Sequence, residues 1–401
     1  MIELIVVFFL ISSVLKNYKV LKSIDFLKKK VESNNSSTNY FPHILLPVYN
    51  EQNIIQETYD YYRDFKDIIP HQKISFVQSA KELSSNLSRT TFQTIENKDY
   101  TFFQHVQCPI QGSKATQLNY FITEHTNNKE WLLILDVDSR ISKSDLLKIS
   151  NLIPSLSQNT LYQLPSSYIT NYNTLPLFQK IIGAMHTSFG FYQEIYPNLN
   201  NTPAHLYKYQ SLIGHGLIIN KQLLSSIGGF PDPIEDSRLA FKAIAKNIPI
   251  KYLNIFDTAT TPKSILDYIN QTSGWFYGQL FIFENISLKN KPTLRQVLKY
   301  MDRLWLSLWW LSKSYVIVGI LIYIILNQKY ELFITFSTTL IISYIADSIV
   351  VYFFHKKIYY ETIVYGFIGD LIYSLGPTLF WIKWIRKSIT QDIHLLPKTP
   401  K

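Results

Sequence analysis

The chain has 401 residues, enough for one large domain or two, and carries a net charge of +10. Its one cysteine, Cys108, excludes an internal disulfide and fits a reducing compartment. The basic excess collects beside apolar segments and forms no stripe with interleaved aromatics, which points to anionic lipid and away from nucleic acid.

The first apolar segment, 1–15, is followed by Lys16, Lys19, Lys22, Lys28, Lys29 and Lys30. A secretory signal has its basic residues before the apolar run and a small-residue cleavage site after it. Here the order is reversed, and the segment reads as an uncleaved N-terminal membrane anchor with its N-terminus outside.

A mixed, polar domain follows over 40–290. Residues 44–46 form a short buried strand that ends at Pro47, 53–65 a helix, and 74–77 a second strand. The Ser/Thr-rich stretch 84–91 reads as loop, 101–106 as a third strand, 115–123 as a helix and 131–135 as a fourth strand. Strands alternating with helices predict an α/β fold with a mostly parallel sheet covered on both faces.

Asp136-Val137-Asp138 closes the fourth strand. Residues two apart on a strand share a face. Both carboxylates can therefore project from the carboxyl edge, where open α/β sheets bind ligands. Two hard oxygen donors suit Mg²⁺ or Mn²⁺. Taken alone, such a triplet is in most cases an acidic strand-to-loop turn, and the signals around it carry the metal reading.

Four more short signals flank it in order. Leu46-Pro47-Val48-Tyr49-Asn50-Glu51 follows the first strand, and Gly112-Ser113-Lys114-Ala115-Thr116-Gln117-Leu118-Asn119 opens a helix. Ile227-Gly228-Gly229-Phe230 precedes Glu235-Asp236-Ser237-Arg238-Leu239, and Gln271-Thr272-Ser273-Gly274-Trp275 comes last. Glu51 can accept hydrogen bonds or cap the next helix. Lys114 is a mobile cation suited to a diphosphate. Asp236 suits a general base, and Glu235 beside it can raise the pKa of one of the two; acids also suit a helix first turn. Trp275, placed at a helix start, offers a flat apolar face, and Gln271 an amide. His215, between Gly214 and Gly216, can approach a ligand closely.

Residues 295–312 place Leu298, Met301, Leu304, Trp305, Leu308, Trp309 and Leu311 at helical spacing among Arg295, Lys299, Arg303 and Lys313. That pattern predicts an interfacial amphipathic helix leading into transmembrane helices over 313–385. The first of these ends near Leu326; 332–354 is a second span, with Asp347 inside. Residues 363–382 are a third, with Asp370 inside and a kink at Gly376-Pro377. An acid at membrane depth is packed against protein or water. If 304–326 crosses, the basic tail Lys383, Arg386 and Lys387 lies outside; if it lies on the surface, His355-Lys356-Lys357 does. The crossing arrangement is the one adopted.

The five signals in this order, in a sheet pattern between apolar ends, resemble the membrane-bound family 2 glycosyltransferases, over roughly 41–280. That family includes the cellulose, chitin and hyaluronan synthases and the ceramide glucosyltransferases. The resemblance implies a GT-A-type nucleotide-diphospho-sugar transferase domain with N- and C-terminal transmembrane helices. It implies an integral protein of the plasma or inner membrane, its catalytic domain cytoplasmic. The expected reaction is metal-dependent, inverting transfer of a sugar from a nucleotide-diphosphate donor such as a UDP-sugar to a lipid-linked or saccharide acceptor. Pro47, Tyr49, Glu51, Lys114 and Asp136 then form the nucleotide-sugar site, and Asp138 is the direct ligand of Mg²⁺ or Mn²⁺. Asp236 is the base, and Glu235, Gln271, Trp275 and His215 serve the acceptor or diphosphate.

Two positions depart from the family pattern. Gln78-Ser79-Ala80-Lys81-Glu82 stands where the family has acids that touch the nucleotide, and Gly274 stands where it has arginine. The second departure favours addition of one sugar over a processive polysaccharide synthase, with Lys263 or Arg238 as replacement cations. A non-catalytic membrane scaffold would have lost Asp138 or Asp236, and both are present.

Overall fold

The structure, a computed structural model, describes residues 2–28, 40–83, 89–96, 98–127, 129–199, 207–285 and 292–390. Lys29, Lys30 and 84–88 of the Ser/Thr-rich stretch lie outside the described residues. The strands are β1 His43–Val48, β2 Ile74–Gln78, β3 Phe103–Gln107, β4 Trp131–Ile134, β5 Leu161–Gln163, β6 Ser166–Ser167, β7 Leu217–Asn220, β8 Ile250–Tyr252 and β9 Asp257–Thr258. The longer helices are α1 Ile2–Leu27, α2 Ile55–Arg63, α3 Lys114–His125, α4 Lys143–Leu152, α5 Leu177–Phe189 and α6 Glu235–Ala245. They continue as α7 Ile265–Tyr277, α8 Leu294–Leu326, α9 Tyr330–His355, α10 Gly366–Ile372 and α11 Leu375–Thr390.

Seven strands form one sheet in the order β3-β2-β1-β4-β7-β5-β8, and β6 pairs with β9 beside it. All six residues of β1 are buried, as a strand covered on both faces requires. Alternation divides the core. Leu45, Leu132 and Ile134 pack with Leu118 and Phe121 of α3 and Leu239 of α6. Ile44, Leu46 and Leu133 pack with Tyr59 and Tyr62 of α2 and Leu146 of α4. The parallel pattern holds from β3 to β4, but β7 runs antiparallel to both β4 and β5. Leu217, the first residue of β7, pairs with Ile134, the last of β4. The reversal therefore delivers the segment before β7, Gly214-His215-Gly216, to the carboxyl edge of β4.

Among the described residues three helices, α1, α8 and α9, are long and apolar enough to cross a membrane. Helix α1 runs well past the 1–15 segment. The first of its basic residues, Lys16, has a partner across the helix pair: Lys16 Nζ is 2.7 Å from Asp347 Oδ1 of α9, and the neighbouring Asn17 Nδ2 donates to Ile342 O at 2.7 Å. Helix α8 is continuous over 33 residues, so the amphipathic segment and the span share one axis. Its start is fixed by a capping box between Thr293 and Gln296.

The 363–382 segment is broken into α10 and α11 at Tyr373-Ser374, ahead of Gly376-Pro377. Pro377 falls in the first turn of α11, where a missing N–H costs nothing. The broken backbone is satisfied by α8: Trp310 Nε1 donates to Tyr373 O at 2.9 Å, and Ser374 N donates to Ser314 Oγ at 2.9 Å. Asp370 is ion-paired with Lys313 and accepts from Tyr344 Oη at 3.0 Å.

Candidate active site

A cavity of about 1080 Å³ begins at the carboxyl ends of β1 and β4 and continues to α1 and α8. Pro47, Tyr49, Glu51, Lys114, Asp136, Asp138, His215, Glu235, Asp236, Gln271 and Trp275 all line it. Residues drawn from separate sequence signals are thus brought to one wall.

The β1 loop turns at Asn50, whose φ of +55° is a left-handed value that asparagine tolerates. Buried Glu82 braces this turn: its carboxylate accepts from Asn50 N at 3.3 Å, Gln52 Nε2 at 3.1 Å and Thr91 Oγ1 at 2.5 Å. The acid after β2 is therefore turned to the loop. Gln117 of α3 ties the strand ends together, its Nε2 donating to Val48 O at 2.8 Å and Val77 O at 2.6 Å. Asn119, two residues on, clamps Phe230 by donating to its carbonyl at 2.8 Å and accepting from its N–H at 2.9 Å. Gly229 beside it has φ +70°, and an added Cβ would stand 2.8 Å from Asn119 Oδ1. These two amides of the helix-opening signal are braces, a role their sequence position does not distinguish from ligand contact.

Lys114 is the first residue of α3, whose N-cap Ser113 accepts from Ala115 N. Its ammonium lies 2.7 Å from Asp136 Oδ1 and 3.1 Å from Glu235 Oε1, and donates to Gly214 O. Burial alone would lower the Lys114 pKa; Asp136, Glu235 and Asp236 outweigh it and hold the lysine charged. A Cβ at Gly214 would sit 3.3 Å from Lys114 Nζ and 3.4 Å from Asp236 Oδ2, so the chain passes close to both charged groups.

Glu235 and Asp236 begin α6 after Ile234, a β-branched residue at φ +58°. Such strain is rare and concentrates at functional positions. It sets the direction in which the two acids enter the cavity. Burial, and then Glu235 beside it, push Asp236 up to about 6.

His215 is buried and pairs with a buried aspartate: Nδ1 lies 2.6 Å from Asp257 Oδ2, and Asp257 Oδ1 accepts from Ser166 Oγ at 2.7 Å. Burial would lower the His215 pKa, but Asp257 outweighs it and raises it. Gln271 and Trp275 both lie on α7, Trp275 in its last turn and not at a helix start. Trp275 is 38% exposed, and its ring centroid is 5.5 Å from that of His186. Burial pushes His186 down to about 4, so it is neutral at physiological pH.

Glu194 and Arg303 also line the cavity and belong to none of the five sequence signals. Glu194 lies in a π-helical stretch, Gly190–Ile195, a geometry common at functional sites. Burial raises its carboxyl to about 7. Arg303 of α8 bonds Gln279 Oε1 and stacks 4.7 Å from the Tyr209 ring centroid. Lys263 and Arg238, the replacements suggested for the missing arginine, do not line the cavity. Arg238 instead pairs with Glu284 at 2.7 Å.

Among the described residues no three or more His, Cys, Asp or Glu side chains form a ready metal cage. Asp136 and Asp138 nevertheless fit a hard divalent ion. Both line the cavity, Asp138 accepts from Thr260 Oγ1 at 2.7 Å, and both acids help raise the His215 pKa. One or two carboxylates completed by substrate phosphates is the usual protein share of an Mg²⁺ site.

Residues 131–354 match the family described as glycosyl transferase family group 2. The chain belongs to family 2 of the glycosyltransferases. No curated protein is significantly similar to this glycosyltransferase in sequence. Among solved structures, it is similar to a mannosyltransferase from Pyrobaculum calidifontis in complex with GDP-Man and Mn²⁺. The likeness has a TM-score of 0.55 at 14% identity and covers 96% of this chain and 100% of that one. At that identity it is a likeness of fold, and the fold is of the GT-A type.

Proposed function

We propose that this glycosyltransferase moves one sugar, with inversion, from a nucleotide-diphosphate sugar to a hydroxyl of a lipid-linked acceptor at the membrane. The observation that carries the reading is the cavity, which joins Asp136, Asp138 and Asp236 to Trp305 and Trp309 between the apolar helices α1 and α8. A saccharide-only acceptor has no need of that second half.

Pro47, Tyr49 and Glu51 hold the nucleoside on the β1 loop. Lys114, now shared between Asp136 and Glu235, is the cation in reach of the diphosphate. Asp138, with Asp136 beside it, would hold Mg²⁺ or Mn²⁺, which when bound offsets negative charge on the departing nucleoside diphosphate. Asp236 takes the proton of the acceptor hydroxyl. The hydroxyl oxygen forms a bond to the anomeric carbon as the bond from that carbon to the diphosphate oxygen breaks on the opposite side. Trp275 offers its face to the sugar ring, and Gln271 an amide to the acceptor or phosphate. Helices α1, α8 and α9 span the membrane and keep the site at its cytoplasmic surface.

The fold resemblance to a mannosyltransferase complex supports a nucleotide-sugar donor, with GDP- and UDP-sugars as the first candidates. The decisive test is a screen of nucleotide sugars against the purified protein with Mn²⁺ and membrane lipid extract, reading nucleoside diphosphate release and a labelled lipid product. Product found only in a water-soluble, lengthening polymer would replace this reading with processive synthesis. Binding of none of the donors would remove the enzymatic reading.

A further inference from the structure

The cavity extends beyond what a nucleotide sugar occupies, and its membrane half has charges the reaction does not use. Four lysines on its wall have carboxylate partners: Lys16 with Asp347, Lys114 with Asp136 and Glu235, Lys208 with Asp302, and Lys313 with Asp370. Lys19 and Arg303 line the same cavity and, among the described residues, make no such ion pair. Each is instead laid over a ring, Lys19 at 5.7 Å from the Tyr196 centroid and Arg303 at 4.7 Å from that of Tyr209.

Their positions along the helices are informative. Lys19 follows the apolar part of α1, and Arg303 precedes Trp305 and Trp309 on α8. Farther along the same helices the wall gains aromatic rings, Phe8 and Phe9 each against Trp309 at 6.0 and 5.3 Å, and its remaining charges, Lys16 with Asp347 and Lys313 with Asp370, are paired. Two cations lining one cavity, Lys19 within electrostatic reach of Asp302 beside Arg303, with aromatic rings farther along two candidate spans, is a layout suited to a lipid head group: anionic phosphate at the interface, chain alongside the rings.

We propose that Lys19 and Arg303 hold the anionic phosphate of the acceptor lipid's head group, with its apolar chain against Phe8, Phe9 and Trp309. This rests on the lipid-acceptor reading above and narrows it to a phosphate-bearing lipid. Arg303 supplies a planar donor fork and Lys19 a point charge, the complementary pair for a phosphate. Glu194, facing the same space, is left to accept a hydrogen bond from a head-group hydroxyl. The hydroxyl that reacts lies deeper, toward Asp236.

The test measures binding without transfer, so it stands apart from the catalytic reading. The full-length protein in detergent micelles is titrated with farnesyl monophosphate and, separately, with farnesol. The monophosphate is expected to bind at least about tenfold more tightly, since charge-assisted hydrogen bonds are the stronger class. Lys19→Gln and Arg303→Gln should each remove most of that preference, and Arg303→Lys should keep part of it. The same variants should bind the nucleotide sugar as the wild type does, which shows that they are folded. Equal binding of the two probes would overturn the proposal, as would a preference that survives the double substitution. Competition by inorganic phosphate as strong as by farnesyl monophosphate would also overturn it, because the site would then read a free anion and not a lipid.

Discussion

The two ends of the cavity handle charge in opposite ways. At the sheet end, Asp136, Asp138, Glu235 and Asp236 face one lysine, Lys114, and the balance is acidic. At the membrane end, Asp347 and Asp370 each have a dedicated lysine, and Lys19 and Arg303 remain over against one further carboxyl, Glu194. An acidic surplus calls for a cation and lets one carboxylate take up protons near neutrality. A basic surplus beside apolar helices calls for an anion. The contrast separates carboxylates crowded around one shared lysine from carboxylates that each have a lysine of their own.

The largest effect tests the acidic surplus directly. Asp138→Asn should cut transfer by about 10³-fold, since a catalytic metal is worth several kcal/mol of charge stabilisation. The fold should survive, because the substitution relieves crowding among acids. Full activity in excess chelator, with donor turnover unchanged in the variant, would remove the metal and leave the acidic surplus unexplained.

Asp236→Asn should be milder, about 10²-fold, at the low end for a lost general base because Glu235 stands beside it. Donor affinity should change little, in contrast to Asp138→Asn. The pH profile gives the sign. A base acts only when deprotonated, and burial and Glu235 hold Asp236 up to about 6. The wild-type rate should therefore fall as pH drops through about 6 and be flat above it, and the Asn variant should lose that limb. A wild-type rate unchanged between about pH 5 and 7 would place the base elsewhere.

How much of this contrast was legible in the sequence differs between the two ends. Asp136-Val137-Asp138 could be placed because an apolar run and a spacing of two fix both strand and face. Glu235 and Asp236 were legible as a pair, but not their entry angle, which depends on the left-handed Ile234. The antiparallel direction of β7 left no trace, since alternation is the same read either way. Glu194 was missed because its placement comes from a π-helical stretch set by tertiary packing. At the membrane end, Asp347 and Asp370 announced that they needed partners. Their lysines, Lys16 at the other end of the chain and Lys313 on a different helix, could be paired with them only in three dimensions.

The neutralised end predicts a stability effect where the acidic end predicts an activity effect. Lys313→Ala leaves the buried Asp370 without its cation, and breaking one side of a buried pair costs about 3–5 kcal/mol. Replacing both, as Lys313→Met with Asp370→Leu, should restore most of the thermal stability in detergent. A single variant within about 0.5 kcal/mol of wild type would show that water or lipid, and not Lys313, satisfies Asp370.

The smallest effect separates the two ends by packing instead of charge. Gly274 lies within α7, and a Cβ added there meets nothing within 4 Å. Gly366 starts α10, and a Cβ there would stand 2.6 Å from the Tyr344 ring. That ring is buried and held by its hydroxyl on Asp370, so it has little room to swing aside. Gly274→Ala should therefore gain about 0.5–1 kcal/mol, the usual cost of glycine inside a helix. Gly366→Ala should lose about 1–3 kcal/mol through overpacking. Thermal unfolding of the two variants side by side reads both signs. A loss from Gly274→Ala would mean that the space beside α7 closes in the unliganded protein, and the open sheet-end wall would have to be redrawn as one that ligand binding creates.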